Sequence, residues 1–120
     1  MAIESFEQLD VWKAAHQLVL NVYRNAQPLP ADEKFGLVSQ MRRASVSVPA
    51  NIAEGFKRRG RADKVHFYNM AQASLEELRY YCILCRDLGF KLEFDSLVDQ
   101  AKQVARMLQG LINAVEKRGA

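Results

Sequence analysis

Apolar residues return every three or four positions along most of the chain, and they do not alternate with polar ones over any run bounded by turns. This pattern predicts helices and no strands. Residues 7 to 26 place Leu9, Trp12, His16, Val19 and Tyr23 on one stripe, which the two prolines of "QPLP" bring to an end. A second stripe begins after Asp32, a candidate N-cap, and runs through Val38, Met41, Ser45, Val48, Ile52 and Phe56. It crosses Pro49 without losing phase. Proline removes one backbone hydrogen bond and clashes one turn back, so a break is the default. The unbroken phase, with Ser45 and Ser47 placed to serve the freed backbone groups, predicts one kinked helix instead.

Residues 62 to 88 carry two stripes side by side. One is Tyr68, Ala71, Leu75, Leu78, Cys82 and Cys85; the other is Phe67, Met70, Ser74, Tyr81, Leu84 and Leu88. A face this wide exceeds one bundle seam and predicts contact with another subunit. Gly89 marks the helix end, and residues 94 to 117 repeat Phe94, Leu97, Ala101, Val104, Leu108, Leu111 and Val115. The fold expected is all-α: an up-down-up-down four-helix bundle, kinked in its second helix at Pro49, forming one domain over residues 1–120.

No apolar run approaches the roughly 20 residues of a membrane span. The start "MAIESFEQLD" carries acids and lacks a basic stretch leading into an apolar one, so no signal peptide is expected and a cytoplasmic location follows. Lys and Arg total 17 against 14 acids, only a mild basic excess. Its placement changes the picture, because "KRRGRADK" gathers Lys57, Arg58, Arg59, Arg61 and Lys64 around a single acid, Asp63. Such a run is often a solvated loop, but it is also what phosphate contacts require. No aromatic residue is interleaved within it, so base reading is not implied.

Catalytic and metal chemistry find little support. Cys82 and Cys85 form a lone CxxC, a spacing used by redox pairs and half zinc sites, yet both lie inside an apolar helical stripe and read as buried, reduced core thiols. Asp63 and His66 stand one turn apart without further ligands, and no Glu-x-x-His motif is present for a di-iron site. No metal or cofactor is expected. The serines sit in helices without a strained elbow, and the chain has no Gly-rich phosphate cradle, so no enzymatic activity is expected. Arg42, Arg43, Asn51 and Glu54 could meet along one side of the bend as a polar network that sets helix or subunit register.

The segments "FEQLDVWKAAHQLVLNVY" and "QMRRASVSVPANIAEGFKRRGRADKVHFYNMAQASLEELRYY", followed by Leu88 and Gly89, resemble the small four-helix bundle proteins encoded in intervening sequences of bacterial large-subunit ribosomal RNA genes. These in turn are similar to the accessory variability determinants of diversity-generating retroelements, which act beside a reverse transcriptase. The resemblance implies a noncatalytic homopentamer with a positively charged, nucleic-acid-binding surface. It marks Arg42, Arg43, Asn51, Glu54 and Gly55 as motif residues. Where relatives commonly show a glycine and a serine that cap the third helix, this chain has Arg58, Arg59, Gly60, Arg61 and Ala62, leaving Asp63 as the substitute cap. The reading that results is an oligomeric binder of structured or ribosomal RNA. Its rival is a protein-interaction scaffold, for instance beside a reverse transcriptase, with the basic run serving only solubility.

Overall fold

The computed structural model describes residues 2–118; positions 1, 119 and 120 of the single domain expected over the whole chain lie outside it. Four long helices form an all-α bundle: α1 (Asp10–Ala26), α2 (Ser39–Lys57), α3 (Arg61–Asp87) and α4 (Phe94–Arg118). A short 3-10 turn, Phe6–Gln8, precedes α1. Each of α1 and α3 packs against both α2 and α4. Among the described residues no helix is long and apolar enough to cross a membrane.

The core follows the sequence stripes in three helices. On α3 the first stripe is buried throughout, from Tyr68 to Cys85. On α2, Met41, Val48 and Ile52 are fully buried, and on α4 so are Leu97, Val104 and Leu108. On α1 the expectation needs correction, because the buried residues are Val11, Ala15, Leu18, Val22 and Ala26, one position before the predicted stripe. Leu9, Trp12, His16 and Val19 are half-buried, and Tyr23 is exposed. Both stripes are apolar enough to face inward. The one that wins consists of small and aliphatic side chains that let the helices come close, while the polar tips of Trp12, His16 and Tyr23 stay at the margin where they reach water.

The start of the second helix is also different. Asp32 lies in a 3-10 turn, Ala31–Glu33, a π-helical turn follows at Lys34–Val38, and α2 begins only at Ser39 with no side-chain cap. From there α2 passes through Pro49 as one helix. The two serines do not serve the carbonyl that proline frees. Ser45 Oγ donates to Arg42 O at 2.9 Å, and Ser47 Oγ accepts from Asn51 Nδ2 at 2.9 Å and from Ser74 Oγ at 2.8 Å. Asp63 does not cap α3 either: the helix begins after Gly60 with no side-chain cap, and Asp63 sits in its first turn. At the other end Gly89, at φ 80°, closes α3. Gly89 N donates to Arg86 O and Phe90 N to Cys85 O, the paired bonds of a Schellman ending that only a left-handed residue permits at little cost.

The seam between α2 and α3 carries the most extensive packing in the molecule. Met41 Sδ lies 3.6 Å from Cys85 Sγ, Ser47 bonds Ser74, and Gly55 lies against Tyr68, so the two helices run antiparallel. At Gly55 the approach is so close that a Cβ would stand 2.6 Å from Tyr68 Cε1 and 3.1 Å from Phe67 Cβ. Tyr68 is only 1% exposed and cannot yield.

Two outcomes are expected. Gly55→Ala should lose about 1–2 kcal/mol net, since overpacking outweighs the helix-propensity gain. Gly110→Ala, with nothing within 4 Å of its added Cβ, should gain up to about 1 kcal/mol. Urea unfolding of both variants checks the pair, and equal effects would mean the seam is loose at Gly55. Cys82 and Cys85 are buried free thiols whose pKa values burial pushes up to about 11. At pH 8 the native thiolate fraction should be on the order of a hundredfold below that of the unfolded chain. Native labelling by a thiol reagent should be correspondingly slow, and fast labelling would contradict their burial.

Candidate nucleic-acid interface

The three residues Arg58 to Gly60 join α2 to α3, so the basic run is held in a tight turn between two packed helix ends. Two of its five cations are engaged by the protein itself. Lys64 is half-buried, and its Nζ donates to Phe56 O at 2.7 Å, a carbonyl that the end of α2 leaves without a backbone partner, and to Gly55 O at 3.4 Å, which also accepts from Arg58 N at 3.2 Å. Its ammonium lies 5.5 Å from the Phe56 ring centroid, and partial burial pulls its pKa below the usual lysine value. Lys64 therefore neutralises the negative end of the α2 dipole and is a capping residue.

Arg58 sits at the C-cap of α2 in an extended conformation that turns its side chain back toward α3. Its guanidinium carbon lies 4.5 Å from the Phe67 ring centroid, and its Nη2 donates to Glu54 Oε2 at 3.1 Å. The His66 ring stands edge-on to Phe67 at 5.3 Å between centroids. Lys57, Arg59 and Arg61 are exposed, and among the described residues they form no ion pair. The start of α3 has no side-chain cap, so the amides of Arg61, Ala62 and Asp63 lack helical acceptors and add the positive end of a second dipole to the same turn, with the Asp63 carboxylate beside them.

The polar residues expected to meet along α2 are dispersed. Arg43 pairs with Glu77 on α3, and the same carboxylate accepts from Tyr81 Oη at 2.7 Å. Asn51 Nδ2 donates back to Ser47 O at 2.8 Å. Glu54 turns to Arg58, and Arg42 lies over the Tyr23 ring at 4.9 Å with its buried Nε lacking an acceptor among the described residues. Residues spaced along one helix diverge by up to a half-turn, so they find partners on α1, on α3 or within their own turn. Gly55 is the motif residue whose role is plainest, because it sets the seam that brings Phe67 under Arg58.

The aromatic neighbours of the turn were missed from sequence, because none lies inside the basic run. Phe56 and Phe67 flank it at either end, Phe56 next to the last residue of α2 and Phe67 nearly two turns into α3. A search for rings within a turn on either side of a helix-turn-helix charge run would have found them. A cleft of about 290 Å³ adjoins Lys57, between Phe56, Ala53 and the Glu4 to Phe6 segment. A larger one, about 490 Å³, lies at the far end of α1 against Lys91 to Glu93, and its Asn21, Arg24 and Asn25 are already bonded to one another or to α4 and its leading segment. Among the described residues no group of three or more His, Cys, Asp or Glu is placed to hold a metal; Asp63 and His66 are exposed.

A bundle of four helices with a cationic turn between α2 and α3 is thus the class of protein at hand. The 23S rRNA-intervening sequence protein family matches residues 7–110, and the chain belongs to that family. A search of the curated proteins finds no match. Among solved structures, the chain is similar to a protein of unknown function from the S23 ribosomal protein family of Bacteroides thetaiotaomicron. That similarity has a TM-score of 0.78 at 21% identity and covers 86% of this chain and 95% of the other.

The division among the cations has a measurable consequence. Lys64→Met should lower stability by about 1.5–3 kcal/mol, the range for hydrogen bonds to charged groups. Arg59→Ala and Arg61→Ala should stay within about 0.5 kcal/mol of the parent. Chemical denaturation of the three variants decides it, and an unchanged Lys64→Met protein would contradict the cap.

Proposed function

We propose that the protein is a noncatalytic, oligomeric, cytoplasmic nucleic-acid binder that contacts structured or ribosomal RNA through phosphates at the α2–α3 turn. The observation that carries this reading is the exposure of Lys57, Arg59 and Arg61 beside an uncapped helix start, with the opposing helix end neutralised from within by Lys64. The potential at the turn is therefore positive from side chains and backbone together. One such turn binds weakly. Copies displayed on a ring turn later contacts into intramolecular ones and raise apparent affinity by roughly 10² or more.

Self-association is supported by the second stripe of α3. Met70 and Leu88 from that stripe, and Tyr80 at its margin, are exposed in the single chain, while Ser74 is buried and Phe67, Tyr81 and Leu84 are half-buried. Five copies is the number expected from the family resemblance. The same exposed residues favour the rival reading, a scaffold whose α3 face meets a protein partner while the basic turn remains solvated.

Two measurements separate these. Light scattering with size exclusion should give a mass near five times 13.7 kDa, and a monomer would remove the ring. Replacing Lys57, Arg59 and Arg61 together by Gln should weaken binding to all nucleic acids and flatten the salt dependence on single strands by about 2 in log–log slope, at about 0.7 per phosphate contact. Unchanged binding, or no binding by the parent protein at low salt, would favour the scaffold.

A further inference from the structure

We infer that Arg58, held over the Phe67 ring, is a stacking platform for an unpaired nucleobase, so that the interface takes single-stranded segments over duplex. This rests on the nucleic-acid reading above and specifies which part of a folded RNA the turn would engage.

The platform is built from both helices. Gly55 lets α3 approach until Phe67 Cβ lies 3.1 Å from where a Gly55 Cβ would be, which brings the Phe67 ring beneath the last turn of α2. Arg58 leaves that turn in extended conformation and lays its guanidinium on the ring at 4.5 Å. Glu54 Oε2 holds one edge of the plane at 3.1 Å, and His66 packs edge-on to Phe67, fixing the ring in turn. Phe67 covers the guanidinium on one side, and the Arg58 side chain is 46% exposed, which leaves room for a planar group to approach it from solvent. A guanidinium plane with one face free is a surface on which bases stack, and every base has a π-face to offer.

Two features argue for a base rather than another phosphate. Arg58 is the one cation of the exposed part of the turn whose charge is already partnered by a carboxylate, which weakens it as a phosphate ligand. It is also the most constrained, so little side-chain freedom is lost when a planar group settles on it. Arg59 and Arg61, unpaired and on either side of Gly60, are left to hold the flanking phosphates. In a duplex the faces of paired bases are already stacked on their neighbours, so the platform discriminates strandedness without reading sequence. Loops and bulges of a structured RNA supply such bases.

The test uses the full-length protein, a short single-stranded RNA containing one 2-aminopurine, a single-stranded DNA of the same sequence, and a long duplex DNA. Arg58→Lys keeps the charge and removes the plane; Phe67→Leu removes the ring beneath it and keeps an apolar side chain. Both variants should weaken single-stranded RNA and DNA by about 5- to 100-fold, the range of one base–aromatic stack. Duplex affinity should change less than about twofold, and the salt slope of Arg58→Lys should not change. The parent protein should draw the 2-aminopurine away from its neighbouring bases and so raise its fluorescence on binding, and Arg58→Lys should abolish much of that rise. Equal effects on single strands and duplex, unchanged 2-aminopurine fluorescence with the parent protein, or a loss confined to RNA would each overturn the platform while leaving phosphate binding in place. Absence of binding to all three probes at low salt would overturn the nucleic-acid reading, and the platform with it.

Discussion

The close approach of α2 and α3 at Gly55 is the constraint on which the remaining geometry depends. Without a Cβ at that position the Tyr68 ring can lie directly against the α2 backbone, and the helices can be joined by only three residues. That short connection compresses the basic run into one turn. It also brings the first turns of α3 within reach of the last turn of α2, so that Lys64 meets the carbonyls of Gly55 and Phe56, and Phe67 meets Arg58. Farther along the seam the same closeness is kept by Ala44, Ser45 and Ser47 on α2 and by Ala71 and Ser74 on α3. There a serine pair bridges the helices where two larger apolar groups would hold them apart.

Electrostatics at the turn follow from the same arrangement. A helix that ends beside one that begins would ordinarily present opposite dipole ends to one another and to solvent. Here the half-buried ammonium of Lys64 serves the ending helix from inside, and no side chain caps the starting one. A sequence with five cations thus has three free for an external anion, one stacked and one capping. The exposed ion pair of Arg58 with Glu54, 3.1 Å between Nη2 and Oε2, contributes little to stability, as surface pairs generally do.

Much of the fold was legible because α2 and α4 each have one stripe clearly more apolar than its neighbours, and on α3, where two apolar stripes run side by side, the first is the one the core takes. The continuity of α2 through Pro49 was legible because phase survives a proline even when one backbone bond does not. The α1 stripe was not, since two adjacent rows of that helix are both apolar. Choosing between them depends on how closely α1 sits against α2 and α4, which periodicity does not carry. Asp32 and Asp63 look like caps by residue type, but capping depends on backbone conformation at the helix start, and the chain enters α2 through a π-helical turn and α3 through Gly60. The basic turn itself was plain in the sequence. The engagement of Lys64 and the ring beneath Arg58 were not, because both join residues eight or nine positions apart across a turn whose geometry is set by Gly55.

The central claim is that nucleic acid is held where the α2–α3 seam ends. Hydrogen–deuterium exchange with mass spectrometry reads this directly, since the amides that open α3 have no helical acceptors and exchange freely in the unbound protein. Saturating single-stranded RNA should slow exchange in peptides spanning residues 57 to 67 and leave those of α4 unchanged. Protection confined to α4 or to the far end of α1, with the turn still exchanging freely in the bound protein, would contradict it.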